Sequence, residues 1–303
     1  MKALVTGAAG FVGRHLQAHL AAMGDDVVGV DRHDGPDLLD GPAVQATVAD
    51  VRPDVVYHLG GWSDVGASWD HPRDTFDANA VGTLNLLQAC IANGSPRVLA
   101  VSSADVYGRV QPGDLPIAES APFQPVTPYA ASKIAADQLG LQAWLGYGLE
   151  VLRVRAFNHL GPGQAPAFVA PALALRIARN ELDGGEVVPV GNLSPRRDIT
   201  DVRDVVRAYR LLMVDGAAGE AYNVCTGRDL SVGQLAERLV ALAHHPMRLE
   251  PDPALQRRVE TPVLRGDPAK LCEATGWAPE IPLEQTLADV LAEQRRAVAG
   301  GAP

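Results

Sequence analysis

The fold of this chain follows from its first stretch, Lys2-Ala3-Leu4-Val5-Thr6-Gly7-Ala8-Ala9-Gly10-Phe11-Val12-Gly13. The apolar run at its start predicts a buried strand. Three glycines then follow at three-residue steps, and residues 14–23 place apolar side chains at helical spacing. A strand, a glycine turn and a helix in this order form the opening of a dinucleotide-binding βαβ unit.

The three glycines have separate roles in such a unit. Gly7 permits the tight turn, Gly10 lets the backbone approach a pyrophosphate, and Gly13 lets the helix pack on the strand. A glycine triplet alone also occurs in ordinary turns, and this G-x-x-G-x-x-G spacing differs from the commonest fingerprint. Here, however, the next apolar run, residues 27–30, ends at Asp31, where an acidic residue is expected. The sequence therefore predicts a nicotinamide dinucleotide cofactor.

The residues after this run bear on the choice of cofactor. Asp31 would hydrogen-bond the adenosine ribose and repel a 2′-phosphate, which favours NAD(H), whereas the nearby Arg14 and Arg32 make NADP(H) possible. The connection that follows is too short for a full crossover helix, so Asp37 and Leu38 would lie near the adenine end. The alternative for this pair is the N-cap of a helix over 42–50.

Composition limits the function. Of the 303 residues in the chain, 47% are hydrophobic and 20% are charged, a composition that is typical of a soluble globular protein. Its formal net charge of −10 argues against nucleic acid and anionic membranes as partners. The scattered Cys90, Cys225 and Cys272 indicate neither a disulfide framework nor a metal site. No signal peptide or membrane span is apparent, so we expect a cytoplasmic protein.

Strands and helices alternate along the first half of the chain. This pattern predicts an α/β fold with a Rossmann-type doubly wound parallel sheet, followed by a smaller C-terminal α+β substrate domain. We expect the dinucleotide-binding domain over 1–157 and roughly 198–224, and the substrate domain over 158–197 and 225–303. The expected helices at 76–93 and 129–145 are apolar around much of their circumference, so they would form either deep core or a homodimer seam, which we favour.

Tyr129 and Lys133 are four residues apart on a predicted helix and therefore share one face. A nearby ammonium and a bound nicotinamide both lower the pKa of a tyrosine, which makes the phenol a usable acid–base group. Ser103 ends a central strand, where ligands bind in open α/β sheets. The Y-x-x-x-K pattern alone is common by chance, but its combination with Ser103 and the glycine turn indicates a catalytic site.

These motifs resemble the extended short-chain dehydrogenase/reductase superfamily, in its nucleotide-sugar branch. The matches are Gly7-x-x-Gly10-x-x-Gly13, Asp31, His58-Leu59-Gly60-Gly61, Asn79, Ser102-Ser103-Ala104-Asp105-Val106-Tyr107-Gly108 and Tyr129-x-x-x-Lys133. The resemblance implies that Ser103 polarises the sugar carbonyl, Tyr129 donates the proton, and Lys133 binds the nicotinamide ribose and lowers the pKa of Tyr129. Asp105 joins this catalytic set. The implied cofactor-binding residues are Gly7, Gly10, Phe11, Val12, Gly13, Asp31, Arg32, Asp37, Leu38, Leu59, Gly60, Gly61, Asn79, Val101, Tyr129 and Lys133.

Later motifs resemble the GDP-4-keto-6-deoxymannose reductases within that superfamily. They are residues 155–164, Gly191-Asn192-Leu193, Arg197-Asp198, residues 201–209 and the segment 257–264. The resemblance implies a GDP-linked ketosugar substrate. Arginines suit pyrophosphate, although each could equally form a surface or interdomain salt bridge. The implied substrate-binding residues are Ser103, Asn158, Val169, Asn192, Arg197, Arg257 and Glu260.

Three departures from the family pattern and three alternatives stay open at this point. Trp62, Asp64 and Arg258 differ from the usual residues at their positions, the first two of them close to the expected sugar. A nucleotide-sugar 4-epimerase with tightly bound NAD would use the same Ser103, Tyr129 and Lys133. A 4,6-dehydratase fits less well, because Asp105 is shorter than the usual glutamate. A non-catalytic cofactor-binding protein would have no use for the acid.

Overall fold

A computed structural model describes residues 1–255 and 261–301. The helices and strands in chain order are β1 (Lys2–Thr6), α1 (Phe11–Ala22), β2 (Asp26–Val30), α2 (Gly41–Val51), β3 (Val55–His58), α3 (Pro72–Phe76), α4 (Gly82–Ala92), β4 (Arg97–Ser103), α5 (Pro128–Tyr147), β5 (Val151–Ala156), β6 (Asn158–Leu160), α6 (Val169–Asp183), β7 (Val187–Val190), β8 (Arg196–Asp201), α7 (Val202–Asp215), β9 (Ala221–Val224), β10 (Asp229–Ser231), α8 (Val232–Val240), β11 (Arg248–Pro251), β12 (Val263–Leu264), α9 (Ala269–Thr275) and α10 (Leu283–Ala299).

The central sheet has six parallel strands in the order β2-β1-β3-β4-β5-β9. Successive side chains of a strand point to opposite faces, and in β1 Ala3 and Val5 join one core while Leu4 joins the other. Helices α1 and α7 cover the first face, and α2, α4 and α5 cover the second. The predicted doubly wound α/β class is confirmed.

The second half of the chain builds smaller sheets. Strands β10, β8 and β12 lie side by side, β6 also pairs with β8, and β7 pairs with β11. Helices α6, α8 and α10 share a separate core with β7, so this part buries its own apolar surface. The exact division of the chain into two domains stays a prediction.

Several element boundaries differ from those expected. The helix predicted over 76–93 begins earlier, at α3, and passes through one π-helical turn, Asp77–Val81, before α4. Helix α6 begins at Val169. That start places Pro171 in the first turn, where its missing N–H has no intrahelical acceptor to lose. Within residues 1–255 and 261–301, no helix combines the length and the apolar character needed to cross a bilayer.

Candidate active site

A cleft of about 790 Å³ opens at the carboxyl edge of the central sheet and extends to the smaller sheets. The chain passes from β1 to β2 on one side and to β3 on the other, and ligands bind at such a reversal of strand order. We call it the main cleft. The predicted site residues that line it are Gly7, Gly10, Phe11, Val12, Gly13, Asp31, Arg32, Asp37, Leu38, Leu59, Gly60, Gly61, Val101, Ser103, Asp105, Tyr129, Lys133 and Asn158.

The glycine turn is built for close approach of the backbone. Gly7 adopts a φ of +71°, a conformation that favours glycine, and a Cβ there would lie 2.8 Å from the Gly60 nitrogen. A Cβ at Gly13 would lie 2.2 Å from the Gly7 carbonyl oxygen. Larger residues would push α1 away from β1 and close the backbone cradle. The turn therefore fits the pyrophosphate of a dinucleotide.

Asp31 and Arg32 lie at the far end of the main cleft. A carboxylate oxygen of Asp31 accepts from the Ala9 backbone N–H at 3.1 Å, which fixes the side chain beside the glycine turn. Arg32 is exposed, and among the described residues no hydrogen bond anchors its side chain in this way. Asp37 and Leu38 also line the cleft, as the cofactor interpretation predicts. The N-cap of α2 is Asp40, so the alternative role of Asp37 and Leu38 as the N-cap is wrong.

Ser103 and Tyr129 meet where β4 ends and α5 begins. Thr127 caps α5 by accepting from the Ala130 N–H at 3.0 Å, and Pro128 occupies the first turn. This cap places Tyr129 at the start of the helix, where its phenol lies close enough to the Ser103 hydroxyl to interact with it. Asp105 lies close enough to act on Tyr129 electrostatically. A reacting carbonyl next to Ser103 would therefore also be next to a phenolic proton.

Burial determines the protonation of Tyr129 in this structure. Burial and the charge of Asp105 raise the pKa of Tyr129 well above its usual value. The Lys133 ammonium donates to the Val101 carbonyl oxygen at 2.9 Å, and burial lowers its pKa to about 8. Burial therefore dominates the pKa of Tyr129 in this structure. The expected lowering of that pKa by Lys133 and a bound nicotinamide stays a prediction. Tyr129 is a neutral phenol at physiological pH, the form that can donate a proton.

His58 connects elements of the central sheet next to the main cleft. Its ring nitrogens hydrogen-bond to the hydroxyls of Thr6 at 2.8 Å and Thr83 at 2.9 Å. Burial and the charge of Lys133 lower the pKa of His58 to about 3. The imidazole is therefore neutral, and it links β1, β3 and α4 beneath the glycine turn.

The turn after β3 is fixed by a buried amide. Asn79 does not line the main cleft; it accepts from the Trp62 N–H at 2.8 Å and donates to Ser132 at 2.9 Å. Trp62 lines the cleft, as its expected place near the sugar requires. The Asp64 carboxylate instead accepts from the Ala67 N–H at 2.9 Å, at the start of a short helical turn. Asp64 does not line the cleft.

A smaller cavity of about 70 Å³ adjoins the main cleft and is lined by Asn158, Val169 and Arg197. Arg197 donates to the carbonyl oxygens of Arg196 at 2.8 Å and Thr261 at 2.9 Å, which holds its guanidinium at the cavity wall. Asn192 lines neither cavity, and its side-chain oxygen accepts from Ser194. Arg257 and Glu260, both predicted to bind substrate, and the atypical Arg258 lie outside the described residues.

Other residues of the main cleft escaped the sequence prediction. They come from segments far apart in the chain. The motifs over 155–164 and 201–209 contain some of them but gave these residues no role in the site, and Trp62 was noted only as atypical. Among the described residues, no group of His, Cys, Asp or Glu could hold a metal ion. The additional lining residues include Trp62, Ser63, Asp74, Asp77, Phe157, His159, Gln164, Phe168, Tyr209 and Leu264.

Known proteins resemble this chain over nearly its whole length. It is 42% identical to GDP-6-deoxy-D-mannose reductase from Pseudomonas aeruginosa over 95% of both chains. It superimposes on the structure of RMD from Pseudomonas aeruginosa complexed with NADPH with a TM-score of 0.89, 39% identity and coverage of 98% and 99%. It also superimposes on Thermus thermophilus UDP-glucose 4-epimerase in complex with NAD, with a TM-score of 0.88, 28% identity and coverage of 98% and 100%.

The model of the NAD-dependent epimerase/dehydratase family matches residues 3–225. This range contains the glycine turn, Asp31, Ser103, Tyr129 and Lys133, the residues on which the predicted resemblance depends. The prediction is confirmed, and the chain belongs to the NAD-dependent epimerase/dehydratase family.

Proposed function

We propose that this protein uses NAD(P)H to reduce the 4-keto group of GDP-4-keto-6-deoxymannose, which yields GDP-rhamnose. The observation that carries the proposal is the buried Tyr129, a neutral phenol that lies beside the Ser103 hydroxyl in the main cleft. A reductase needs such a proton donor beside the carbonyl. The 42% identity to GDP-6-deoxy-D-mannose reductase supports the choice of a GDP-linked deoxysugar.

When bound in the main cleft, a reduced nicotinamide would supply the hydride for carbon 4 of the sugar. In the same step, Tyr129 transfers its phenolic proton to the oxygen on carbon 4, so the ketone becomes an alcohol and the tyrosine a phenolate. Ser103 donates a hydrogen bond to that oxygen and stabilises its developing negative charge. Lys133 holds the nicotinamide ribose, and its positive charge stabilises the phenolate until a proton from solvent restores it.

The nucleotide end of the substrate would bind in the smaller cavity. Asn158, Val169 and Arg197 line it, and a guanidinium suits the pyrophosphate through its fork of donors. Arg257, Glu260 and Asn192 complete the proposed set. Binding energy from the nucleotide would orient the ketone against Tyr129, although these contacts are remote from the reacting carbon.

The substrate is tested by mixing the protein with ketosugars generated in place by dehydratases and following cofactor oxidation at about 340 nm. We expect oxidation with the GDP-linked ketosugar, and isothermal titration should show tighter binding of GDP than of UDP. Oxidation only with UDP- or dTDP-ketosugars would refute the GDP assignment. Interconversion of unmodified UDP-hexoses without net oxidation would mean that the protein is an epimerase.

Asp31 should make the enzyme prefer NADH while still accepting NADPH. A carboxylate beside a 2′-phosphate costs about 1–4 kcal/mol at 4 Å for effective dielectric constants between 80 and 20. We therefore expect Asp31→Asn to shift the kcat/KM ratio of NADPH to NADH upward by about tenfold or more. Asp34→Asn is the matched control, since Asp34 does not line the cleft. A wild-type enzyme that strongly prefers NADPH would contradict the role of Asp31.

We also propose a homodimer formed through α3, α4 and α5. Phe76, Leu145 and Tyr147 expose large apolar side chains on these helices, and the Leu145 side chain is 74% exposed. A charge buried in a helix seam is strongly unfavourable. We expect Leu145→Glu to convert the dimer to a monomer in light scattering after gel filtration. Leu182→Glu on α6, at a site 62% exposed, should leave the dimer intact. A monomeric wild type would refute the proposal.

A further inference from the structure

Tyr209 is the one side chain of α7 that lines the main cleft. It belongs to the core between α1, α7 and the central sheet, and it is 0% exposed. Its hydroxyl has no hydrogen-bond partner among the described residues. A buried hydroxyl without a partner is costly, so native proteins rarely leave one in place without a reason.

The location of Tyr209 identifies the part of the cleft that its hydroxyl serves. Helix α7 covers the face of the sheet opposite to α5, so Tyr209 and Tyr129 approach the carboxyl edge from the two sides. The two phenols are close enough that Tyr129 contributes to raising the pKa of Tyr209. Asp31, Asp37 and Leu38 mark the adenine end of the cleft, whereas Tyr129 marks the reacting end.

We propose that the Tyr209 hydroxyl forms a hydrogen bond with the carboxamide of the bound nicotinamide. A carboxamide offers both a donor and an acceptor, so it can pair with a phenol in either direction. Tyr209 would then fix the rotation of the ring from the face opposite to Tyr129, which makes it a cofactor-binding residue. The proposal depends on the family's cofactor and not on the identity of the sugar.

Two ligands test this assignment without any sugar substrate. NADH contains the nicotinamide, whereas ADP-ribose has the same adenine, riboses and pyrophosphate but no nicotinamide. We expect Tyr209→Phe to weaken NADH binding about three- to tenfold in isothermal titration, the loss of one buried hydrogen bond. ADP-ribose should bind the variant as it binds the wild type. The rise in NADH fluorescence on binding gives a second measurement of the same affinity.

Tyr57→Phe is the matched control. Tyr57 lies on β3, is fully buried, and also has a hydroxyl without a partner in the described part of the chain, but it does not line the cleft. The control should bind both ligands normally. Both variants keep the aromatic ring, so the melting temperature without ligand should not fall. Unchanged NADH affinity in Tyr209→Phe, or an equal loss for NADH and ADP-ribose, would overturn the proposal. If the wild-type protein does not reduce the GDP-ketosugar, the proposed substrate is refuted, but the outcome of this binding test is unaffected.

Discussion

Tyr129→Phe is expected to lower kcat by about 10²–10⁴-fold, the usual contribution of a general acid. The substitution removes the proton that the 4-keto oxygen receives, and burial keeps water from replacing it. The ring remains at the start of α5, so the fold and the affinity for cofactor should survive. Steady-state reduction of the GDP-linked ketosugar gives kcat, and titration with NADH gives the affinity.

Tyr147→Phe is the control for this substitution. Tyr147 ends the same helix and its side chain is 65% exposed, far from the cleft lining. It should retain the turnover of the wild type. Near-normal turnover in Tyr129→Phe would mean that another group donates the proton, and the assignment of Ser103, Tyr129 and Lys133 as a catalytic set would then be wrong.

The parts of this site that sequence predicts are local in the chain. The glycine turn connects β1 and α1 within a few residues, and the spacing of Tyr129 and Lys133 is set by one helical turn. Their positions relative to each other follow from backbone geometry alone. The parallel sheet can also be predicted from the sequence, because its strands are short apolar runs separated by helices.

The parts that sequence misses depend on distant segments. Strand β8 has the polar sequence Arg196-Arg197-Asp198-Ile199-Thr200-Asp201, and it is a strand because β10, β6 and β12 pair with it. Tyr209 ends the motif over 201–209, but neither that motif nor the helical spacing of α7 indicates that its side chain lines the cleft. The extent of burial, which dominates the pKa of Tyr129 in this structure, also cannot be read from the spacing of Tyr129 and Lys133.

Among the variants proposed, Asp137→Ala should lower the free energy of unfolding the most. Asp137 lies one turn after Lys133 on α5 and is fully buried. Its carboxylate accepts from Arg153 at 2.8 Å and from Arg155 at 2.9 Å, both on β5 and both buried. Removing one member of a buried ion pair costs about 3–5 kcal/mol, since the remaining charge is left uncompensated. Here a single truncation leaves two guanidinium groups without their carboxylate.

The other contacts of Arg155 cannot replace this carboxylate. Arg155 also donates to the Glu119 carbonyl oxygen at 2.7 Å and lies over the rings of Phe123 and Tyr107. These contacts are neutral, so they satisfy hydrogen bonds but do not balance the buried charge. Urea unfolding should therefore show a clear fall in the midpoint for Asp137→Ala.

Glu150→Ala supplies the comparison that separates burial from mere loss of an ion pair. Glu150 pairs with Arg97 at 3.0 Å, but its side chain is 51% exposed. Exposed pairs contribute about 0–1 kcal/mol, because water already solvates both charges. We expect the midpoint of Glu150→Ala to stay near that of the wild type. Equal midpoints for the two variants would show that Asp137 is not what holds α5, and with it Tyr129 and Lys133, against β5.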